Sequence, residues 1–259
     1  MMAWVVLAMV AAVASGDAQA SVSPAVALDQ PPLALSAPTA KDMVVTKRIE
    51  RPMPDGTVAT FRIDHRLRFV QGEGGMIATM ERTAIDCVAA EAMCTRFNAA
   101  LSPGIGNVRR FAVGRDGAIQ LLAGTYAVAE GSHPGRRADP AAIVRAVERE
   151  VPGALSIEEM REAVRFIGQR LVVGATVADG GGSQVARVDS ISDGVARLSA
   201  EEVSEPVSGV IMRRRRTWTV DLASGLVRSS EIRTTRVNSA LAAGGPEPLV
   251  DVWHWDLVQ

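Results

Sequence analysis

Tyrosine occurs once, lysine twice (Lys41 and Lys47) and cysteine twice in this chain of 259 residues. Aromatic side chains make up only 4%, which leaves little for the stacking platforms that hold sugars or single-stranded nucleic acid. Nor is there an excess of one charge: 28 Lys and Arg stand against 29 Asp and Glu, which argues against a polybasic nucleic-acid binder. Motifs for covalent catalysis are missing. There is no G-x-S-x-G, S-x-x-K or H-E-x-x-H, and Gly180-Gly181-Gly182 runs into Ser183 and Gln184 without the lysine of a phosphate-binding loop. His65, His133 and His254 lack metal-ligand spacing and no C-x-x-C is present, so no metal, cofactor or redox centre is expected.

Hydrophobic residues amount to 47%, enough to bury a core in one large domain or two small ones. The first apolar run, Trp4 to Ser15, is followed by Gly16, Asp17 and Ala18-Gln19-Ala20, an A-x-A cleavage pattern, although Met1 to Ala3 carries no Lys or Arg. The run falls short of the roughly 20 residues a membrane span needs. Residues 1–20 therefore read as a signal peptide cleaved after Ala20, giving a periplasmic or secreted protein with no stable membrane span. Removal of Asp17 with the leader leaves 28 charges of each sign.

Residues 21–40 hold Pro24, Pro31, Pro32 and Pro38 among small residues and read as a disordered Pro/Ala-rich tether. The domain proper is expected over 41–259. Three β-like runs come first, broken at Pro52-Met53-Pro54-Asp55-Gly56 and Gly72-Glu73-Gly74-Gly75. Helical spacing of Met93, Phe97 and Leu101 follows, then a hairpin turning at Arg115-Asp116-Gly117. Two more helices are predicted. One follows Asp139-Pro140 and carries Ile143, Val147 and Val151; the other opens at a capping box, Ser156 to Glu159, and aligns Met160, Val164, Ile167 and Leu171. Five strands, starting near Val185, Val195, Val210, Leu226 and Leu249, complete the chain, with turns at Asp193-Gly194 and Ser224-Gly225. The expected fold is α+β: an antiparallel sheet of meanders and hairpins with about three helices packed on it. Pairing order is not readable from one chain, so one wrapped sheet and two β-rich lobes, 41–135 and 172–259 bridged by helices over 139–171, both remain open.

The clearest strand places Phe61, Ile63, His65, Leu67 and Phe69 on one face and Arg62, Asp64, Arg66 and Arg68 on the other. The apolar set is the candidate ligand-binding face, and in a carrier it would line a cavity. His65 points to that side, as a core histidine or as a titrating group in a pocket. Arg214 and Arg216 share a face with Trp218, which makes them candidate anion-binding residues and permits a cation–π pair. His254 shares a face with Asp256, opposite Trp253 and Trp255. Glu158 with Glu162, and Glu201 with Glu202, read as solvated pairs. Cys87 and Cys94 are either a disulfide or two buried thiols. Within one helix they would lie about 10 Å apart, beyond the roughly 7 Å limit, so a bridge requires Cys87 to precede the helix.

Thr57 to Arg68 (TVATFRIDHRLR) and Arg216 to Arg236 (RTWTVDLASGLVRSSEIRTTR) resemble functionally unassigned exported proteins of GC-rich (alpha)proteobacteria. That resemblance implies an envelope protein with an antiparallel β fold and transfers no catalytic residue. Long strands with helices against one face are similar in architecture to periplasmic lipoprotein carriers, whose sheet holds an acyl chain. The function expected is an exported, non-enzymatic envelope protein whose partner is a lipid-like ligand or an envelope protein. Two alternatives stay open: a hydrolase with a site assembled around a histidine, and an adaptor binding anions or polyanions through the strand Arg213 to Arg216.

Overall fold

The computed structural model describes residues 30–39, 41–124, 155–178, 185–207, 210–237 and 249–258. Pro31–Gln259 forms one compact unit. Among the described residues, eleven antiparallel strands make a single sheet: β1 (Asp42–Pro52), β2 (Val58–Gly72), β3 (Gly75–Val88), β4 (Val108–Gly114), β5 (Ile119–Gly124), β6 (Thr176–Ala178), β7 (Val185–Ser192), β8 (Val195–Val207), β9 (Val210–Asp221), β10 (Val227–Val237) and β11 (Leu249–Val258). Their order is β5-β4-β3-β2-β1-β11-β10-β9-β8-β7-β6. Two meanders thus run outward from the central β1–β11 pair, which joins the two β-rich blocks into one sheet. Local chemistry explains the hairpins. At the β7–β8 turn Asp193 and Gly194 have φ of 51° and 73°, the pair of positive values that a two-residue turn matching the strand twist requires.

Two helices are present among the described residues, α1 (Glu91–Leu101) and α2 (Leu155–Ala163). This corrects the expectation of an α+β fold with about three helices on a sheet: the sheet dominates. The segment Ser156 to Leu171 is helical only to Ala163 and continues in turns to a left-handed Gly168, φ 80°. The helix expected over 139–151 lies outside the described residues, as does the expected signal peptide.

α2 contacts both β5 and β10, and its Glu162 accepts a hydrogen bond from Trp218 on β9. β5 and β9 are seven places apart in the sheet order, roughly 34 Å if the sheet were flat. A helix of nine residues is about 14 Å long, so the sheet must curl around it. Among the described residues, α2, the turn that follows it and the 31–39 segment supply the side chains that meet the sheet's core. The core there unites Met43, Val45, Leu67, Phe69, Phe111, Val188, Leu198 and Trp218 with Met160, Val164, Phe166 and Ile167.

Residues 31–39, read as part of a disordered tether, pack against this core. Leu33 and Ala37 are buried, the Leu33 N–H donates to the Gln169 carbonyl, and the Gly168 N–H donates to the Leu33 carbonyl. Ser36 N–H donates to the Ser224 carbonyl. Spaced leucines among prolines supply apolar anchors, and the loop backbone supplies partners that composition does not reveal.

Cys87 and Cys94 form a disulfide with Cα atoms 5.5 Å apart. Cys87 is the penultimate residue of β3 and Cys94 lies in α1, so the bridge holds α1 to the sheet beside Phe61, whose ring centroid is 5.1 Å from that of Phe97.

Candidate functional site on the concave face

Opposed residues on neighbouring antiparallel strands share a face, and the registers define rows across the concave side. One row is Ile63, Lys47, Trp255, Ser230, Trp218 and Leu198. The next, towards the open end, is Phe61, Ile49, Trp253, Ile232 and Arg216. Phe61, Ile49, Trp253 and Ile232 are each half-buried, whereas Leu67 and Phe69 at the other end are fully buried, in the core cluster that also holds Leu33, Ala37 and Met160. The Lys47 ammonium sits 4.9 Å from the Trp253 ring centroid, at the boundary between the packed and the half-open rows.

Two carboxylates of α2 point into the sheet. Glu162 is well provided for: it accepts from Arg165 Nε at 2.7 Å, Trp218 Nε1 at 3.0 Å and the Arg216 guanidinium. Burial would raise its carboxyl, but Arg216 and Arg165 outweigh burial and hold it below the usual range. Arg216 also stacks over Trp218 at 4.9 Å, and Phe166 meets that indole edge-on, centroids 5.4 Å apart. Glu159 is the contrast. It is 2% exposed and neither carboxylate oxygen has a hydrogen bond; Lys47 Nζ stands 3.6 Å from Oε1. Burial pushes its carboxyl up, opposed by Lys47 and Arg82.

His65 lies on the same face, opposite Val45 on β1 and Arg82 on β3. It is 2% exposed and its Nδ1 has no partner. Burial, followed by the charges of Arg82, Lys47 and Arg109, lowers its pKa to about 3, so the ring is neutral at physiological pH. Arg82 reaches this face because β3 bulges between the residues opposite Asp64 and His65. Its Nε and the Trp255 Nε1 are also buried without hydrogen bonds.

The five residues of the candidate ligand face, Phe61, Ile63, His65, Leu67 and Phe69, therefore do share one side, but they do not line one cavity. Ile63 packs with Leu101, Ile85 and Phe97, Leu67 and Phe69 belong to the main core, and Phe61 alone is half-open. A depression of about 70 Å³ beside Leu35, Met76 and Arg115 is far below the roughly 300–1,000 Å³ of small-molecule sites. Of the candidate anion-binding residues, Arg216 is committed to Glu162 and Trp218, while Arg214 is exposed, opposite Glu202. Arg213 and Arg215 on the other face reach Glu201 at 3.2 and 3.6 Å. His254 lies 3.7 Å from Glu231 and 3.9 Å from Glu50, beyond hydrogen-bond reach. His133 lies outside the described residues.

Sequence reasoning missed Glu159 and Glu162, taking the first for a capping side chain and the second for a solvated one. The signal was present: Glu159, Glu162, Ala163 and Phe166 fall at i, i+3, i+4 and i+7, a second helical stripe beside Met160, Val164 and Ile167. Among the described residues no cluster of three or more metal-ligating side chains occurs, and no helix is long and apolar enough to cross a membrane.

No family model matches the chain, and no curated protein matches it. Among solved structures it is similar to a LolA superfamily protein from Nitrosomonas europaea, with 11% identity and a TM-score of 0.20 over 85% of this chain and 84% of that one. It is also similar to DynF from the dynemicin biosynthesis pathway of Micromonospora chersina, with 9% identity and a TM-score of 0.20 over 89% of each chain. At these scores neither likeness carries an argument about fold or chemistry, and the sheet order and the concave face stand on their own geometry.

Proposed function

We propose that this protein is an exported, non-enzymatic binding protein whose concave face takes a lipid-like ligand at its open end. The observation that carries the reading is the row Phe61, Ile49, Trp253 and Ile232, four apolar side chains adjacent in register and each left half-buried. Such a row offers apolar area to an acyl chain without requiring polar backbone to be desolvated, since the sheet ladder already satisfies it. A preformed enclosed cavity at Leu67 and Phe69 is no part of the reading, because both side chains are packed into the main core.

The test is native mass spectrometry of the protein purified from a periplasmic extract, followed by organic extraction and by titration with the fluorescent acyl probe cis-parinaric acid. A co-purifying apolar adduct, or saturable probe binding lost in Ile49→Asp and Ile232→Asp, supports the reading. A bare mass with no probe uptake by the unaltered protein overturns it. The same spectrum tests export, through loss of residues 1–20.

A further inference from the structure

The concave face holds more buried hydrogen-bonding capacity than it uses. Around Glu159 lie Lys47, whose Nζ is 3.6 Å away, and Arg82 with an unbonded Nε; Trp255, opposite Lys47 across the β1–β11 pair, has an unbonded Nε1, and His65, opposite Arg82, an unbonded Nδ1. Buried polar groups are nearly always bonded, so each exception requires a reason. Anchoring α2 is not that reason, because Glu162 already ties the helix to β9 through the Arg216 guanidinium and the Trp218 N–H. Glu159 is costly where it stands: a buried carboxylate with no hydrogen bond forfeits solvation that a single cation beyond hydrogen-bond distance restores only in part. Lys47 thus stands against a carboxylate at 3.6 Å, while Arg82, one of whose guanidinium N–H groups donates to the Leu101 carbonyl at 2.9 Å, and Trp255 each keep a buried N–H without a partner.

We propose that Lys47, Arg82 and the Trp255 N–H form a receiving site for the carboxylate head group of an acidic amphiphile, and that Glu159 occupies this site as a tethered competitor when no ligand is bound. The proposal rests on the reading of the concave face as a ligand surface and names the ligand class. Its chain would lie along Ile49, Trp253 and Ile232, one row towards the open end from Lys47, whose ammonium already bridges both regions by resting on Trp253. A ligand carboxylate free to approach within hydrogen-bond distance would meet the donors that Glu159, fixed to its helix, does not reach.

The experiment titrates the purified protein with cis-parinaric acid and with its uncharged methyl ester. The acid should bind about tenfold more tightly than the ester. Glu159→Gln should strengthen acid binding by a similar factor, leave the ester unchanged and raise the Tm of the ligand-free protein, because Lys47 retains access to water once its partner is neutral. Lys47→Met, which keeps the apolar stem, should abolish the preference for the acid. Trp255→Phe removes only the N–H donor and should weaken the acid alone. Equal affinity for acid and ester in the unaltered protein, or acid binding unmoved by Glu159→Gln, overturns the head-group site while leaving the apolar row intact. Failure of both probes to bind overturns both readings.

Discussion

Replacement of His65 by leucine should flatten the response of stability to mild acid, and the size of the effect follows from where the ring sits. In the folded protein burial, with Arg82, Lys47 and Arg109 nearby, sets its pKa at about 3; in the unfolded chain an imidazole titrates near 6.5. The unfolded state therefore takes up the proton first. Stability from this residue is complete above roughly pH 6.5 and is lost as pH falls towards 3, up to about 5 kcal/mol in all and about 2 kcal/mol between pH 7 and pH 5. Other groups act in different windows or with the opposite sign. Glu162 and Asp221 are held below their ordinary values, so their contributions fade only as pH falls below about 4.5. The carboxyl of Glu159 is raised by burial, so its protonation on acidification favours the fold and opposes the His65 effect in parent and variant alike. Urea unfolding at pH 7, 6 and 5, followed through Trp218 and Trp255, which are 2% and 5% exposed, measures the difference. His65→Leu is close in volume and should lie within about 1.5 kcal/mol of the parent at pH 7, then lose about 2 kcal/mol less by pH 5. Parallel pH profiles for the two proteins would refute the assignment of a buried, neutral histidine.

Two further outcomes test how the concave face is filled. Glu162→Ala leaves Arg165, Arg216 and the Trp218 N–H without their shared acceptor and should cost about 3–5 kcal/mol in urea unfolding, with Glu162→Gln recovering part of that through the indole; a loss below about 1 kcal/mol would show that α2 is held by apolar contacts alone. Gly225→Ala should destabilise by about 2 kcal/mol or more and expose residues 31–39 to protease, because Gly225 has a φ of 76° and an added Cβ would meet the Ala34 carbonyl oxygen at 2.3 Å; unchanged Tm and protease resistance would count against the docking of that segment.

Much of the sheet was legible because its signals are local. Alternation along Phe61 to Phe69 sets one wet and one buried face within a single strand, and Asp193-Gly194 carries the conformations its turn needs. The requirement that Cys87 precede the helix follows from helical rise alone, and the bridge to Cys94 meets it. The parity that pairs Arg216 with Trp218 likewise needs nothing beyond the strand itself. What tertiary structure decided is which of two β blocks meets the other, and what lies on the concave side. The pairing of β1 with β11 joins residues about two hundred positions apart, and no local propensity encodes such a contact. The curl that follows encloses α2, and enclosure buries its second stripe, Glu159 and Glu162 included. A helix seen as a sequence has one apolar face and one solvated face; a helix wrapped by a sheet buries both stripes, and its carboxylates then need cations supplied by distant strands.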